Sequence, residues 1–276
     1  MALTTKIGHI EIVAICDFIP SPASPTEPFP DVPIEAWEPY KESSLTTDGL
    51  YPRNYGVFVV RSDDFVAIVD TGLGPGPHAA QDGVEGKLLE NLAGVGVHPS
   101  DVDGVINTHI HPDHVGWNIQ NGEPTFPRAR YSVSRLDWEH WTPQEDPPSY
   151  VPEQVIPLRE LQVLDLVENN QELFRGVRTL GTPGHTPGHQ SILIESDGEA
   201  AVITGDVLHT PAQLQEPDWS FRADIDKAAA IASRQMLIEK AITEKLIVAA
   251  GHLRYDGNLG HIVEIQGRRY WQVLTE

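Results

Sequence analysis

Four side chains able to hold a metal ion crowd into the run His109-Ile110-His111-Pro112-Asp113-His114. In extended backbone, positions i and i+2 point the same way, so His109 and His111 can grip one ion while Asp113 and His114 turn toward a second. Imidazole and carboxylate at this density suit Zn, Fe, Mn or Co and carry too much nitrogen for a Ca or Mg site. Three more ligand types each follow an apolar run. His185 sits in the Gly/Pro turn Thr182-Pro183-Gly184-His185-Thr186-Pro187-Gly188-His189, Asp206 follows Ala201-Val202-Ile203-Thr204-Gly205, and His252 closes Leu246-Ile247-Val248-Ala249-Ala250-Gly251. Any one of them alone would read as a core histidine or a turn aspartate. Together they offer three more ligands from three strand ends.

Strands must hold these loops in place. Ile10 to Ile19 reads as an opening strand, and residues 20 to 52, with eight prolines, read as an extended loop of the kind that forms lids, binding elements or partner contacts. Val57 to Val60 and Phe65 to Val69 form a hairpin whose strands are apolar on both faces and so need cover on each side. Helices near Glu85 to Leu92, stopped by Gly94, and near Asp226 to Ala241 supply it, the second through Ala228, Ile231, Ala232 and Met236 at helical spacing. Strand-like runs recur at Val105-Ile106, Ile192 to Ile194, Ala201 to Ile203 and Leu246 to Ala250. This mixture predicts a layered α/β fold, one domain over residues 1–276, with a second proline-rich surface loop at about 142–157.

Composition removes several classes of function. A formal net charge of −21 repels phosphate backbones and anionic membrane surfaces, so neither nucleic acid nor membrane is expected as a partner. No stretch reaches the 18 uncharged apolar residues of a membrane helix, and Glu11 and Asp17 stand where a signal peptide would be apolar, which predicts a soluble, cytoplasmic protein. Cys16, the single cysteine, lies in an apolar run and reads as a buried structural residue.

The combined order His109-x-His111-x-Asp113-His114, then His185, Asp206 and His252, together with the turn Asp70-Thr71-Gly72, resembles the metallo-β-lactamase-fold hydrolases over about residues 50 to 266. The resemblance implies an αβ/βα four-layer sandwich with two metals, zinc by default, at one sheet edge. His109, His111 and His185 would bind the first, Asp113, His114 and His252 the second, with Asp206 between them and Asp70 supporting the ligands from behind. Two ions about 3.5–4 Å apart can hold a bridging hydroxide as nucleophile and polarise the bond under attack, with Asp113 managing protons. His189 is expected to fix imidazole tautomers by hydrogen bonding, or to be a structural turn residue.

Departures from the family pattern narrow the branch. A thiolate-bearing β-lactamase would have Cys at Asp206, a nucleic-acid-processing enzyme a basic exosite, and a flavodiiron protein Glu at His111. The turn around His185 and the run Gly251 to Ile262 look most like the lactonase, arylesterase and organophosphate-hydrolase group. In the acyl-homoserine lactonase pattern a tyrosine follows the bridging aspartate by three residues; His209 stands there, as in arylester- and organophosphate-hydrolysing relatives, and is expected to donate a hydrogen bond to a developing oxyanion or leaving group. Trp117 is placed in the substrate pocket, and Trp138 and Trp141 read as a core stripe. Phe29, Trp37 and Tyr40 could cap the site or contact a second copy in a homodimer. The expected function is hydrolysis of a neutral, fairly apolar small-molecule ester or lactone. The alternatives are a phosphotriesterase or glyoxalase II-like thioesterase of the same fold, or a non-catalytic metal-binding module.

Overall fold

A computed structural model of the chain describes residues 2–81 and 83–274, so the outermost residues of the 1–276 span lie outside the described ones. One seven-stranded sheet is built from β1 (Leu3–Ile7), β2 (Ile10–Cys16), β3 (Gly56–Arg61), β4 (Val66–Val69) and β5 (Gly104–Ile106). After a small ribbon of β6 (Ile119–Gln120) and β7 (Glu123–Pro124), β8 (Arg130–Ser134) and β9 (Leu164–Val167) complete it, in the order 1-2-3-4-5-8-9. A second seven-stranded sheet runs in chain order through β10 (Glu172–Phe174), β11 (Val177–Gly181), β12 (Gln190–Ser196), β13 (Glu199–Ile203), β14 (Ile247–Ala249), β15 (Leu259–Ile265) and β16 (Arg268–Val273). β4, β5, β8 and β9 are parallel neighbours, as are β13 and β14, and the other pairs are antiparallel.

Period-two alternation decides the layering. On β2, Ile10, Ile12 and Ala14 face the other sheet while Val13 and Ile15 face helices; on β3, Phe58 and Val60 go inward and Val57 and Val59 outward. The second sheet answers with Ile192, Ile194, Ala201 and Ile203 inward and Leu193 and Val202 outward. The strands that read as apolar on both faces are covered on both, which is the four-layer sandwich. Beyond a helical turn α1 (Lys41–Ser44), the cover of the first sheet includes α2 (Leu88–Gly94) and, after the short α3 (Pro112–Val115), α4 (Arg135–Trp141) and α5 (Ile156–Glu160). The second sheet is covered by α6 (Lys227–Thr243).

Three details differ from the sequence expectation. The proline-rich segment 20–52 is not extended throughout: Ile34–Tyr40 forms a 3₁₀ helix that leads into α1, because burying Trp37 among Phe29, Tyr51 and Trp219 favours a compact turn there. In the 142–157 segment, Val151–Val155 is helical and continues into α5, with Pro152 and Pro157 in first-turn positions where no backbone N–H is needed. On α6 the apolar stripe Ala228, Ile231, Ala232 and Met236 is the outer face. The buried face is Ala230, Ser233, Arg234, Leu237, Ile238 and Ala241. Spacing alone favoured the wrong stripe because two of the buried positions are polar, and only their tertiary partners make them burial-competent.

Candidate metal centre

The seven suspected ligands gather at one edge of the sandwich, on the loops that follow β5, β11, β13 and β14. Each loop has a local reason for its shape. His111 lies in extended backbone immediately before α3, whose first residue is Pro112, so the chain turns sharply and brings Asp113 and His114 round to the same edge, with the His114 ring 4.0 Å from that of His109. Gly205 has φ +54°, and a Cβ there would sit 2.6 Å from His189 Nε2, so glycine is required directly before Asp206. Gly184, beside His185, would place a Cβ 2.0 Å from the backbone N of Ala230, so the turn can rest on the start of α6 only without a side chain.

The ligand atoms form two groups. His109 Nε2 lies 3.0 Å from His111 Nδ1, which lies 2.9 Å from His185 Nε2. Tetrahedral donors about 2.0–2.1 Å from a zinc ion stand about 3.3 Å apart, so this trio is close to ligand spacing. Asp113, His114 and His252 make the second group, with Asp113 Oδ2 3.6 Å from His114 Nε2 and 3.7 Å from His252 Nε2. Asp206 stands between them. Its Oδ2 is 3.1 Å from His185 Nε2 and 3.9 Å from His109 Nε2, while its Oδ1 is 3.1 Å from His114 Nε2 and 3.0 Å from His252 Nε2. One carboxylate therefore offers one oxygen to each group.

Hydrogen bonds behind the rings select which nitrogen faces inward. His114 Nδ1 donates to Asp70 Oδ2 at 2.8 Å, His185 Nδ1 to Asp224 Oδ1 at 2.9 Å, and His252 Nδ1 to the Asn54 carbonyl at 2.9 Å. His109 Nδ1 meets Thr108 Oγ1 at 3.0 Å, and that hydroxyl donates to Asp70 at 2.9 Å. All four rings so turn Nε2 toward the centre, and His114 Nε2 and Asp206 Oδ1 are buried with no hydrogen-bond partner. Imidazole nitrogens facing one another at about 3 Å, around a buried carboxylate oxygen left unsatisfied, form a donor set that fits two divalent cations.

Electrostatics divide the same atoms. Burial, reinforced by neighbouring imidazoles, pushes His109 well below the usual histidine range and His111 down to about 3. Burial also opposes charge on His114, His185 and His252, yet the Asp206 carboxylate outweighs it, lifting His185 to about 9 and the other two upward. Burial would raise Asp206, but His252, His114, His185 and His109 around it hold it well below the usual carboxylate range.

The remaining expected residues fall in different places. Asp70 supports the ligands through His114 and Thr108, and it does so in the left-handed region at φ +65°, a strained conformation for a side-chain-bearing residue. His189 supports the aspartate and not the imidazoles: its Nδ1 donates to the Thr182 carbonyl and its Nε2 accepts the Asp206 backbone N–H at 2.9 Å. Burial lowers it to about 3, so it stays neutral as an acceptor. His209 is buried, with Nε2 3.2 Å from Asp206 Oδ2 and its ring stacked between Phe221 at 3.9 Å and His252 at 5.1 Å. Burial lowers it to about 4. Trp117 is not in the pocket: it is buried in the core between the first sheet and its helices, and its indole N–H donates to Asp17 at 3.0 Å, because Asp17 is itself buried and needs donors. Trp138 is core, and Trp141 packs against it with its ring 5.7 Å from that of His111.

Two carboxylates were missed. Asp224 holds His185, and Asp137, fully buried on α4, accepts from Ile110 N, Thr186 Oγ1 and Gly188 N, stapling the His109–His111 loop to the His185 turn. Asp224 lies two residues before the Asp226 N-cap of α6, where sequence suggests only helix initiation. Asp137 reads as an ordinary first-turn acid.

A cleft of about 540 Å³ opens onto the centre and reaches His111, Asp113, His185, Asp206, His209 and His252. Tyr51, Tyr55, Leu73, Pro28 and Phe221 form apolar walls, with Arg53 and Arg222 at the rim. The 20–52 segment covers one side: Phe29, Trp37 and Tyr51 pack with Trp219 and Phe221, and the Tyr51 hydroxyl donates to the His209 carbonyl at 2.7 Å. No helix among the described residues is long and apolar enough to cross a membrane.

Comparison with known proteins agrees with this geometry. Residues 50–252 match the family model of the Metallo-beta-lactamase superfamily. An N-acyl homoserine lactonase from a Bacillus species is 31% identical over 227 residues, spanning 76% of this chain and 85% of the relative. The corresponding Bacillus cereus lactonase is 28% identical over 76% and 85%. Among solved structures, the hydrolase AbOPH of the beta lactamase superfamily superposes with a TM-score of 0.85 at 25% identity, covering 100% of this chain and 98% of its own. AidC, a dizinc quorum-quenching lactonase, shares the fold with a TM-score of 0.84 at 21% identity and the same coverage.

Proposed function

The chain belongs to the metallo-β-lactamase superfamily, and from that premise we propose that it is a dinuclear metal-dependent hydrolase of a neutral, fairly apolar ester or lactone. The observation that carries the reading is Asp206, a single buried carboxylate with one oxygen turned to each group of nitrogen ligands. His109, His111 and His185 would hold one ion and Asp113, His114 and His252 the other, with Asp206 shared and zinc the metal its relatives point to. Bound there, two divalent ions make water nucleophilic at neutral pH and draw electron density from the bond under attack. No serine or cysteine nucleophile is needed.

The chain's own residues do the rest. Asp70, Asp224 and the Asn54 carbonyl keep His114, His185 and His252 in one tautomer, so their Nε2 atoms need no rearrangement to bind. Asp113 is the more exposed of the two candidate ligand carboxylates and lies on the cleft, in reach of a proton leaving the reacting centre. His209, neutral and clamped by Phe221, carries one N–H; its Nε2 sits 3.2 Å from Asp206 Oδ2, and with that oxygen engaged by a cation the N–H would serve an oxygen of the substrate or leaving group. Tyr51, Tyr55, Leu73 and Phe221 favour an apolar substrate body and keep bulk water off the bond. The reading takes the described chain as one domain acting on a small molecule in the cytoplasm, with the 20–52 segment as a cap on the site.

Lactone hydrolysis draws support from the lactonase relatives. A phosphotriester or thioester is the second reading; His209, standing where the lactonase pattern has tyrosine, favours an aryl ester or a phosphotriester. The test is elemental analysis combined with a panel of lactones, aryl esters, thioesters and phosphotriesters. About two ions per chain and turnover of lactones or esters is the expected result. Fully loaded protein that turns over none of the panel would leave a non-catalytic metal-binding module.

A further inference from the structure

Arginine is seldom fully buried, and α6 buries one directly behind the site. Arg234 Nε donates to the Val207 carbonyl at 2.8 Å, Nη1 to the Pro217 carbonyl at 2.6 Å, and Nη2 lies 3.5 Å from Asp224 Oδ2. The side chains of both Arg234 and Asp224 lie out of contact with water, so each depends on its partners for solvation. Those partners are not scattered. Val207 follows Asp206, Pro217 opens the loop that runs to Asp224, and within that loop the Phe221 N–H donates to Asp224 Oδ2 at 3.0 Å. The other oxygen of Asp224 takes the proton of His185 Nδ1 at 2.9 Å. Phe221 is also the ring stacked on His209 at 3.9 Å, and it lines the cleft.

An apolar pair of the same volume would serve stability at least as well as a buried ion pair, but it could not accept a proton from an imidazole or a backbone amide at set positions. We propose that Asp224 is a positioning residue which, clamped by Arg234, aims His185 at the first ion and holds the Phe221 wall of the cleft with the same carboxylate. Metal retention and substrate fit then depend on one buried pair. The inference rests on the reading of His185 as a ligand, and the two can fail separately.

The test uses purified, metal-loaded protein challenged with a chelator, with ions counted per chain, alongside KM and kcat for the best substrate of the panel. Asp224→Asn keeps size and one acceptor but can offer an N–H to His185, and is expected to lose one of the two ions about 10–100-fold more readily while raising KM. Arg234→Lys keeps the charge without the fork, and is expected to shift both readouts in the same direction by several-fold; it serves if Asp224→Asn does not fold. Asp226→Ala, which removes the cap accepting from Ala229 N on the same helix, is expected to lower Tm and leave chelator resistance and KM unchanged. The proposal is overturned if Asp224→Asn, or Arg234→Lys in its place, behaves like Asp226→Ala, with a lower Tm and unaltered ion retention and KM. If His185→Ala keeps both ions with unaltered resistance, the ligand reading itself falls.

Discussion

The two halves of the metal centre solve the same problem differently. The group His109, His111 and His185 is all nitrogen, close-set at about 3 Å, and backed by buried side chains: Thr108, Asp137 and Asp224. The group Asp113, His114 and His252 includes a half-buried carboxylate, is spread to 3.6–3.7 Å, and is backed by Asp70 and one main-chain carbonyl. Burial keeps His109 and His111 neutral, whereas the carboxylates around His185, His114 and His252 favour protonation of those rings when no cation is bound. To take a cation the first half must therefore release one ring proton, from His185, and the second half two, from His114 and His252. The difference implies unequal affinity, with the second ion the more dependent on pH.

The most severe way to break this comparison is to remove what both halves share. Asp206→Ala is expected to lose both ions and reduce kcat/KM by at least about 10³-fold, since without the shared carboxylate neither group is complete. Metal analysis and kinetics check it, and a variant still holding two ions would end the shared-ligand account. His209→Ala should leave both halves intact, with two ions retained, yet cost about 10²–10³ in kcat through loss of a positioned donor. The loss should shrink for substrates whose leaving group needs no proton; unchanged kinetics on every class would reduce His209 to lining.

Asp70→Asn tests the halves separately. With the amide oxygen on Thr108 N–H it sets an N–H against His114 Nδ1, and should weaken the second ion about 10–100-fold while the first stays, the mirror image of the effect expected from Asp224. Equal loss of both ions would show that Asp70 acts through Thr108 and His109 as much as through His114. The smallest expected effect concerns the metal-stripped protein. His185 is lifted from 6.5 to about 9, so the folded state binds more protons than the unfolded state across that interval, and this stability is present below pH 6.5 and lost as pH rises to about 9. His111, lowered to about 3, has the opposite sign, adding stability as pH rises from about 3 to 6.5. Thermal melts of stripped protein should therefore peak near pH 6.5 and fall toward 9, while loaded protein, its ligands already deprotonated, should not show that fall. Stripped protein whose Tm climbs from pH 6.5 to 9 would contradict the carboxylate control of these rings.

The same contrast separates what was legible in the chain from what was not. The candidate ligands His109, His111, Asp113 and His114 lie within six residues, and backbone geometry alone gives His109 and His111 one direction and lets Asp113 and His114 turn in another. His185, Asp206 and His252 each follow a strand-like run, and strands of one sheet must end near one another. Apolar alternation on β2, β3, β12 and β13 demands cover on both faces, so the layers too are a matter of local pattern. Tertiary structure alone decided the parts that depend on a partner distant in sequence. Asp224 and Asp226 are both acids ahead of a helix, and only the approach of the His185 turn assigns one to the imidazole and the other to the cap. α6 buries Arg234 in place of Met236 because Asp224 and two carbonyls wait for the guanidinium. Trp117 leaves the pocket for the core because Asp17, a hundred residues earlier, is buried and requires its indole N–H. A desolvated polar group is tolerable only where its complement arrives, and that meeting is a property of the packed chain, absent from any local stretch of it.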